Sequence, residues 1–174
     1  MKIYISAACL CVLMLASTDV IAQKTNSNNQ STVNAVSSVD LKQYSGKWYE
    51  IARYQNKFQK NCVGNTTATY KLKEEGKFEV LNECLKKNGT IINAKGDGKI
   101  VDKNSNAKLE VRFAPGYLAF LPSVWGNYWI IDLDPNYQYA AIGDPKREYL
   151  WILSRSPEMK VATYQNILRR VEMM

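Results

Sequence analysis

The sequence contains no histidine in its 174 residues. That absence removes the commonest general acid and base, the usual imidazole ligand of zinc and the usual axial ligand of haem. Cysteine is scarce as well. Of four, Cys9 and Cys11 lie in an apolar N-terminal stretch, which leaves Cys62 and Cys84 for the rest of the chain. Two cysteines without a histidine make a poor zinc site, and a thiol nucleophile would have no imidazole beside it. No metal, no cofactor and no catalytic residue is expected, so the chain reads as a non-enzyme. Dense basic blocks are also lacking. The net charge is +7, yet the basic residues alternate with acids, as in Lys73-Glu74-Glu75 and Arg147-Glu148. This pattern implies a solvated basic surface, able to sit peripherally near anionic lipid head groups, and no nucleic-acid partner.

No apolar run is long enough to span a bilayer, which takes roughly 20 residues. Ile3 to Ala16 is uncharged and follows Met1-Lys2. Asp19 ends the run, and Val20-Ile21-Ala22 offers a cleavage site, so residues 1–22 read as a secretory signal. Lipid attachment at Cys9 or Cys11 is the alternative. The run before Cys9 is very short and Leu10 is bulky for that processing, which favours a soluble mature form. Residues 23–38 are mostly Asn, Ser, Thr and Gln and read as a flexible leader. Residues 39–174 then form one domain. An exported domain with two cysteines favours one disulfide, Cys62 to Cys84, over two buried thiols.

From Gly46 onward the pattern has period two. Leu109, Val111 and Phe113 alternate with Lys108, Glu110 and Arg112, as in a strand with one wet face. Thr66, Ala68, Tyr70 and Leu72 share one face, and Phe78, Val80 and Asn82 share another. Turn signals at Glu74-Glu75-Gly76, Asn88-Gly89, Asp102 to Asn106 and Pro115-Gly116 separate the runs. Further strands are expected at Tyr128 to Leu133, Gln138 to Ile142 and Tyr149 to Ser154. With Lys47 to Arg53 the total is about eight, which suits a sandwich or a closed barrel. One helix comes last. Ser156 is a candidate N-cap, Pro157 suits the first turn, and Val161, Tyr164, Ile167, Leu168 and Val171 recur at helical spacing.

Three segments carry a family resemblance. Gly46-Lys47-Trp48, flanked by Asp40 to Tyr44 and by Tyr49-Glu50-Ile51, resembles the first-strand signature of the lipocalins. Asn127 to Asp134 resembles their second motif and Tyr149 to Arg155 their third, in the right order and with the helix after the third. The runs Trp48 to Arg53 and Tyr149 to Arg155 look like the bacterial outer-membrane lipocalin and apolipoprotein D group. The resemblance covers Val39 to Met174. It implies an all-β, eight-stranded antiparallel up-and-down barrel with one C-terminal α-helix packed outside.

The resemblance also implies roles. Gly46, Trp48 and Arg155 would be structural, with the arginine lying over the indole at the closed end. Alternation nominates Tyr70, Val80, Asn82, Val111 and Phe113 for the pocket wall. Matching to apolipoprotein D-like members nominates Tyr70, Asn82, Phe113 and Trp151. Phe58 and Trp125 fall in or near loops at the expected mouth. An amide such as Asn82 on an apolar face needs a partner: Tyr70, a water or a ligand head group. The function implied is binding, storage or transport of a fatty acid, lysophospholipid or similar small hydrophobic ligand. The protein would be exported, in the periplasm, at the outer membrane or secreted, as a monomer or weak dimer. Two alternatives stand beside this reading: a module that binds a protein or host factor through the mouth loops, and an isomerase-type enzyme on the same scaffold.

Overall fold

The computed structural model describes residues 33–174. The signal reading of residues 1–22, the lipid-attachment question at Cys9 and Cys11 and the leader as far as residue 32 lie outside the described residues. Eight strands form a closed antiparallel barrel in which each strand pairs with its chain neighbour and the last returns to the first. They are β1 (Gly46–Arg53), β2 (Gly64–Leu72), β3 (Lys77–Leu85), β4 (Ile91–Ile100), β5 (Lys108–Arg112), β6 (Gly126–Leu133), β7 (Tyr139–Gly143) and β8 (Leu150–Ser154). A short helix α1 (Leu41–Tyr44) precedes the barrel and α2 (Val161–Glu172) follows it. The Asp40 side chain caps α1 by accepting from the Lys42 and Gln43 amides.

Strand alternation divides the apolar residues into two clusters. Trp48, Tyr70, Phe78, Val80, Leu109, Tyr128, Ile130, Ile142 and Leu153 point inward and pack together. Ile131, Ala141, Leu150 and Ile152 point outward and lie under α2, whose Ile167 is fully buried among them. Two bulges set this division. The register of β1 against β8 shifts between Glu50 and Ala52, and that of β6 against β7 shifts between Ile130 and Asp132. Each sends two consecutive residues outward, which puts Asp132 within reach of Arg170 on α2 at 2.7 Å.

Helix α2 begins at Val161, not at Pro157 as the Ser156 cap suggested. The Ser156 hydroxyl does accept from the Glu158 amide, at 3.4 Å, but this closes only a local turn. Residues 156–160 carry the chain off the end of β8, and Met159 packs into the outer cluster. The leader also differs from a uniformly flexible one. Val36 donates its amide to the Ile130 carbonyl at 2.9 Å, Ala35 and Val36 pack on the inner cluster and Val33 on the outer one. These apolar residues give an otherwise polar stretch something to bury, so residues 33–38 lie against the barrel.

Cys62 and Cys84 form a disulfide with their Cα atoms 5.6 Å apart, tying the β1–β2 loop to the end of β3. Closing a loop of this length is worth about 3 kcal/mol in the chain-entropy model. In β4, Gly96 and Gly98 face inward opposite Val80 and Phe78. A Cβ on Gly98 would lie 2.0 Å from the Phe78 ring, and one on Gly96 would lie 2.9 Å from the Phe113 ring. The two glycines therefore make the flat wall on which these rings rest. Gly98→Ala is expected to lower unfolding stability by roughly 1–3 kcal/mol through overpacking. Urea denaturation should show it, and Phe78→Leu in the same chain should recover part of the loss.

Candidate functional site

One end of the barrel is closed by a single arginine. The Arg155 guanidinium stands 3.8 Å above the centre of the Trp48 ring. It donates to the carbonyls of Gln43 (2.6 Å), Tyr44 (3.2 Å), Ser45 (3.0 Å) and Lys47 (2.9 Å), and through Nε to that of Tyr137 (3.3 Å). The first three are the orphan carbonyls at the end of α1, where a cation is favoured. Trp48 is fully buried and donates Nε1–H to the Tyr44 carbonyl at 2.8 Å. Gly46 is needed here for its backbone: its φ of +95° is open to glycine, while a Cβ would meet Arg155 only at ordinary contact distance.

Above this floor, three buried tyrosines link their hydroxyls. Tyr128 donates to Tyr70 at 2.8 Å and accepts from Tyr44 at 2.6 Å, because its one proton is already used. Burial raises all three phenols well above the ordinary tyrosine range, and the neighbouring tyrosines push Tyr128 further. A small cavity of about 10 Å³ remains at this level, lined by Leu41, Tyr44, Tyr70, Phe78 and Leu109 among others.

The inner wall changes character toward the other end. Val80, Leu109 and Leu153 are buried, whereas Asn82, Val111 and Trp151, each two residues nearer that end on the same strand and also inward by register, are half-buried. Water therefore reaches inside the upper barrel. The Asn82 side chain has no hydrogen-bond partner among the described residues, and the Tyr70 hydroxyl is taken by Tyr128. Thr66 Oγ1, on the same side of the wall, is buried with no partner.

A charged network that apolar alternation did not reveal also faces inward. The Glu50 side chain, 7% exposed, accepts from Arg53 Nη1 and from Gln59 Nε2 (2.6 Å). Gln59 Oε1 in turn accepts from Asn56 Nδ2 (2.8 Å) and Trp151 Nε1 (2.9 Å), and Arg53 Nη2 donates to the Cys62 carbonyl (3.3 Å). The period-two rule held the signal: Glu50 lies two residues beyond the inward Trp48. Arg53 needed the bulge.

The three remaining candidates diverge. Phe113 stands at the rim over Gly96 and is 45% exposed. Phe58, in the β1–β2 loop, is 67% exposed and touches Tyr149, which stacks on Trp151. Trp125 instead lies on the outer wall, with Lys99 at 4.3 Å and Arg112 at 5.2 Å over its ring and its Nε1–H on the Ala119 carbonyl. The structure thus gathers Tyr70, Val80, Asn82, Val111 and Trp151 on one inner surface, with Phe113 and Phe58 at its edge. Among the described residues, no three Cys, Asp or Glu side chains group as a metal site requires, and no helix is long and apolar enough to cross a membrane.

Comparison with known proteins agrees with this architecture. Residues 39–174 match the family model described as a lipocalin-like domain. The chain is 40% identical over 140 residues to temperature-induced lipocalin-1 of Arabidopsis thaliana, covering 79% of this chain and 74% of that one. It is 34% identical over 137 residues to the outer membrane lipoprotein Blc of Escherichia coli K12, covering 78% and 73%. It is 36% identical over 132 residues to apolipoprotein D of Mus musculus, covering 71% and 65%. Among solved structures, insecticyanin from the tobacco hornworm Manduca sexta superposes with a TM-score of 0.61 at 23% identity, covering 81% of this chain and 76% of that one, which speaks to the fold.

The closed end yields two predictions. Arg155→Ala should lower stability by roughly 2–4 kcal/mol, because charged hydrogen bonds and the indole contact go together. Arg155→Lys should restore only part, since an ammonium cannot fork across several carbonyls; urea midpoints decide both. The buried phenols make a pH prediction. Their folded pKa values lie above the unfolded value of about 10, so their stabilisation is complete below that pH and is lost as pH rises toward the folded values. Tyrosinate absorbance should show Tyr44, Tyr70 and Tyr128 ionising only as the barrel unfolds.

Proposed function

Because the chain belongs to the lipocalin family, whose members bind small hydrophobic ligands, we propose that it carries or stores a fatty acid, a lysophospholipid or a similar amphiphile inside its barrel. The observation that carries this reading is the gradient along the inner wall. Along single strands the face that excludes water at Val80, Leu109 and Leu153 admits it two residues nearer the open end, at Asn82, Val111 and Trp151. An alkyl chain laid along that wall gains roughly 0.8 kcal/mol per buried methylene. Asn82 and Thr66 Oγ1, both without partners among the described residues, are polar handles for the head of the ligand. The role is binding, not catalysis. An exported protein of the cell envelope fits the disulfide and the signal-like residues 1–22.

Lipid extraction and mass spectrometry of purified protein are expected to release a single-chain amphiphile. Added fatty acid or lysophospholipid should quench tryptophan emission, Trp151 being the indole on the wall. Val111→Asp, which sets a carboxylate on that wall, should weaken binding by about tenfold or more while the urea midpoint reports whether the fold survives. Protein that carries no lipid and shows no quenching with either ligand class overturns the reading.

A further inference from the structure

The open end differs from the rest of the surface in a way the pocket does not require. Most large exposed apolar side chains among the described residues crowd there. Phe58 (67% exposed) and Val63 (51%) lie in the β1–β2 loop, Ile91 (69%) at the tip of the β3–β4 hairpin, and Tyr117 (76%) and Phe120 (77%) in the β5–β6 loop. The stretch from Phe113 to Trp125 carries no charge at all. It is held firmly from behind: Arg112 donates to the Ala114 and Pro115 carbonyls (3.0 and 2.7 Å), and Trp125 to that of Ala119. Tyr117 and Phe120 are thus presented outward by a fixed support.

Charge has the same polarity. Lys57, Lys60, Lys87 and Lys146 are exposed on the loops of the open end, with Lys57 over the Phe58 ring at 5.4 Å. Of the acids there, Asp144 is buried, accepting from the Lys146 and Tyr149 amides, which leaves Glu148 exposed. At the closed end the loops mix both signs: Asp40, Glu74, Glu75, Asp102 and Asp134 stand beside Lys42, Lys73, Lys103 and Arg155, so a basic excess is confined to the open end. Aromatic rings set among lysines suit a bilayer interface, where rings sit at head-group depth and basic residues are drawn to anionic lipid. A second copy docked mouth to mouth would bring the lysines against one another. The helix face is a poorer candidate. Val161 and Met173 are exposed at opposite ends of α2, roughly 18 Å apart at 1.5 Å per residue, and Arg170 is engaged by Asp132.

We propose that the open end docks on an anionic lipid surface, with Phe58, Tyr117 and Phe120 entering the interface and Lys57, Lys60 and Lys87 resting on its head groups. The barrel mouth then faces the lipid it would load from or deliver to, though docking itself does not depend on what the barrel holds.

The test is sedimentation of the full chain with vesicles of phosphatidylcholine alone, and of phosphatidylcholine mixed equally with phosphatidylglycerol. Binding is expected on the mixed vesicles and to fall as salt screens the lysines. Each of Lys57→Glu and Lys87→Glu should weaken it roughly fivefold or more, the equivalent of about 1 kcal/mol per basic residue. Tyr117→Ser with Phe120→Ser should abolish it. The pair Val161→Ser and Met173→Ser should leave it unchanged, and all variants share one N-terminus, so differences among them report the mouth. Three results overturn the proposal: equal binding to both vesicle types, loss through the helix pair and not the loop pair, or no binding to either vesicle type, where a dimer that Phe120→Ser dissolves would assign the patch to a second copy. Quenching by soluble fatty acid is read separately, so failure here is distinct from failure of the pocket.

Discussion

A closed ring of strands leaves no free edge along its wall, but it encloses a dry interior only if one of its two ends is stopped. Here the stop is Arg155 on Trp48. The guanidinium is well suited to that place because it satisfies the last carbonyls of α1, covers an indole face and reaches the Lys47 and Tyr137 carbonyls with one planar group. Its desolvation opposes the charge it carries there, and the surrounding carbonyls compensate. Everything above inherits a direction from this contact. The tyrosine chain is buried because water cannot enter from below, and the half-exposed wall at Val111 and Trp151 is wet because it can enter from above.

The interior is accordingly graded. Aromatic rings and branched aliphatics fill the lower third, their hydroxyls paired with one another. Higher up stand a charged pair and two polar groups without partners. Glu50 and Arg53 are costly to hold away from water. Gln59 and the Cys62 carbonyl bond them directly and Asn56 holds Gln59 in place, and all three come from the β1–β2 loop or its end. The disulfide fixes that same loop to β3 at Cys84. The loop, the bridge and the inward carboxylate thus form one linked unit at the mouth, with Trp151 joined to it through Gln59.

Much of this was legible in the sequence, for a physical reason. Where a strand buries one face, period two prints the fold directly, and Tyr70, Val80, Asn82, Val111 and Phe113 fall on the face that alternation gave them. β4 printed almost nothing, because its inward positions include Gly96 and Gly98 and the rings that fill their space come from Phe78 and Phe113. Glu50 shared a face with Trp48 but was hidden by its charge, since alternation scored by hydrophobicity assigns a carboxylate to water. Trp125 looked like a mouth residue from its place in a loop. Its ring instead lies against two cations on the outer wall, a contact between residues apart in sequence that no local pattern encodes. Ser156 is a sound capping residue locally, yet the helix waits until Val161, because the chain must first clear the end of β8.

The same Trp125 connects the wall to the surface. Its cations belong to the outer faces of β4 and β5, where Lys99 pairs with Glu110 and Arg112 with Asp97. Arg112 is 5% exposed and also holds the Ala114 and Pro115 carbonyls. The uncharged β5–β6 loop is therefore braced from outside the barrel and not by the pocket. A loop braced in this way keeps Tyr117 and Phe120 exposed whether or not the interior is occupied. Contacts made by the rim and contacts made by the pocket can then vary independently, which a loop folded into the cavity would not allow.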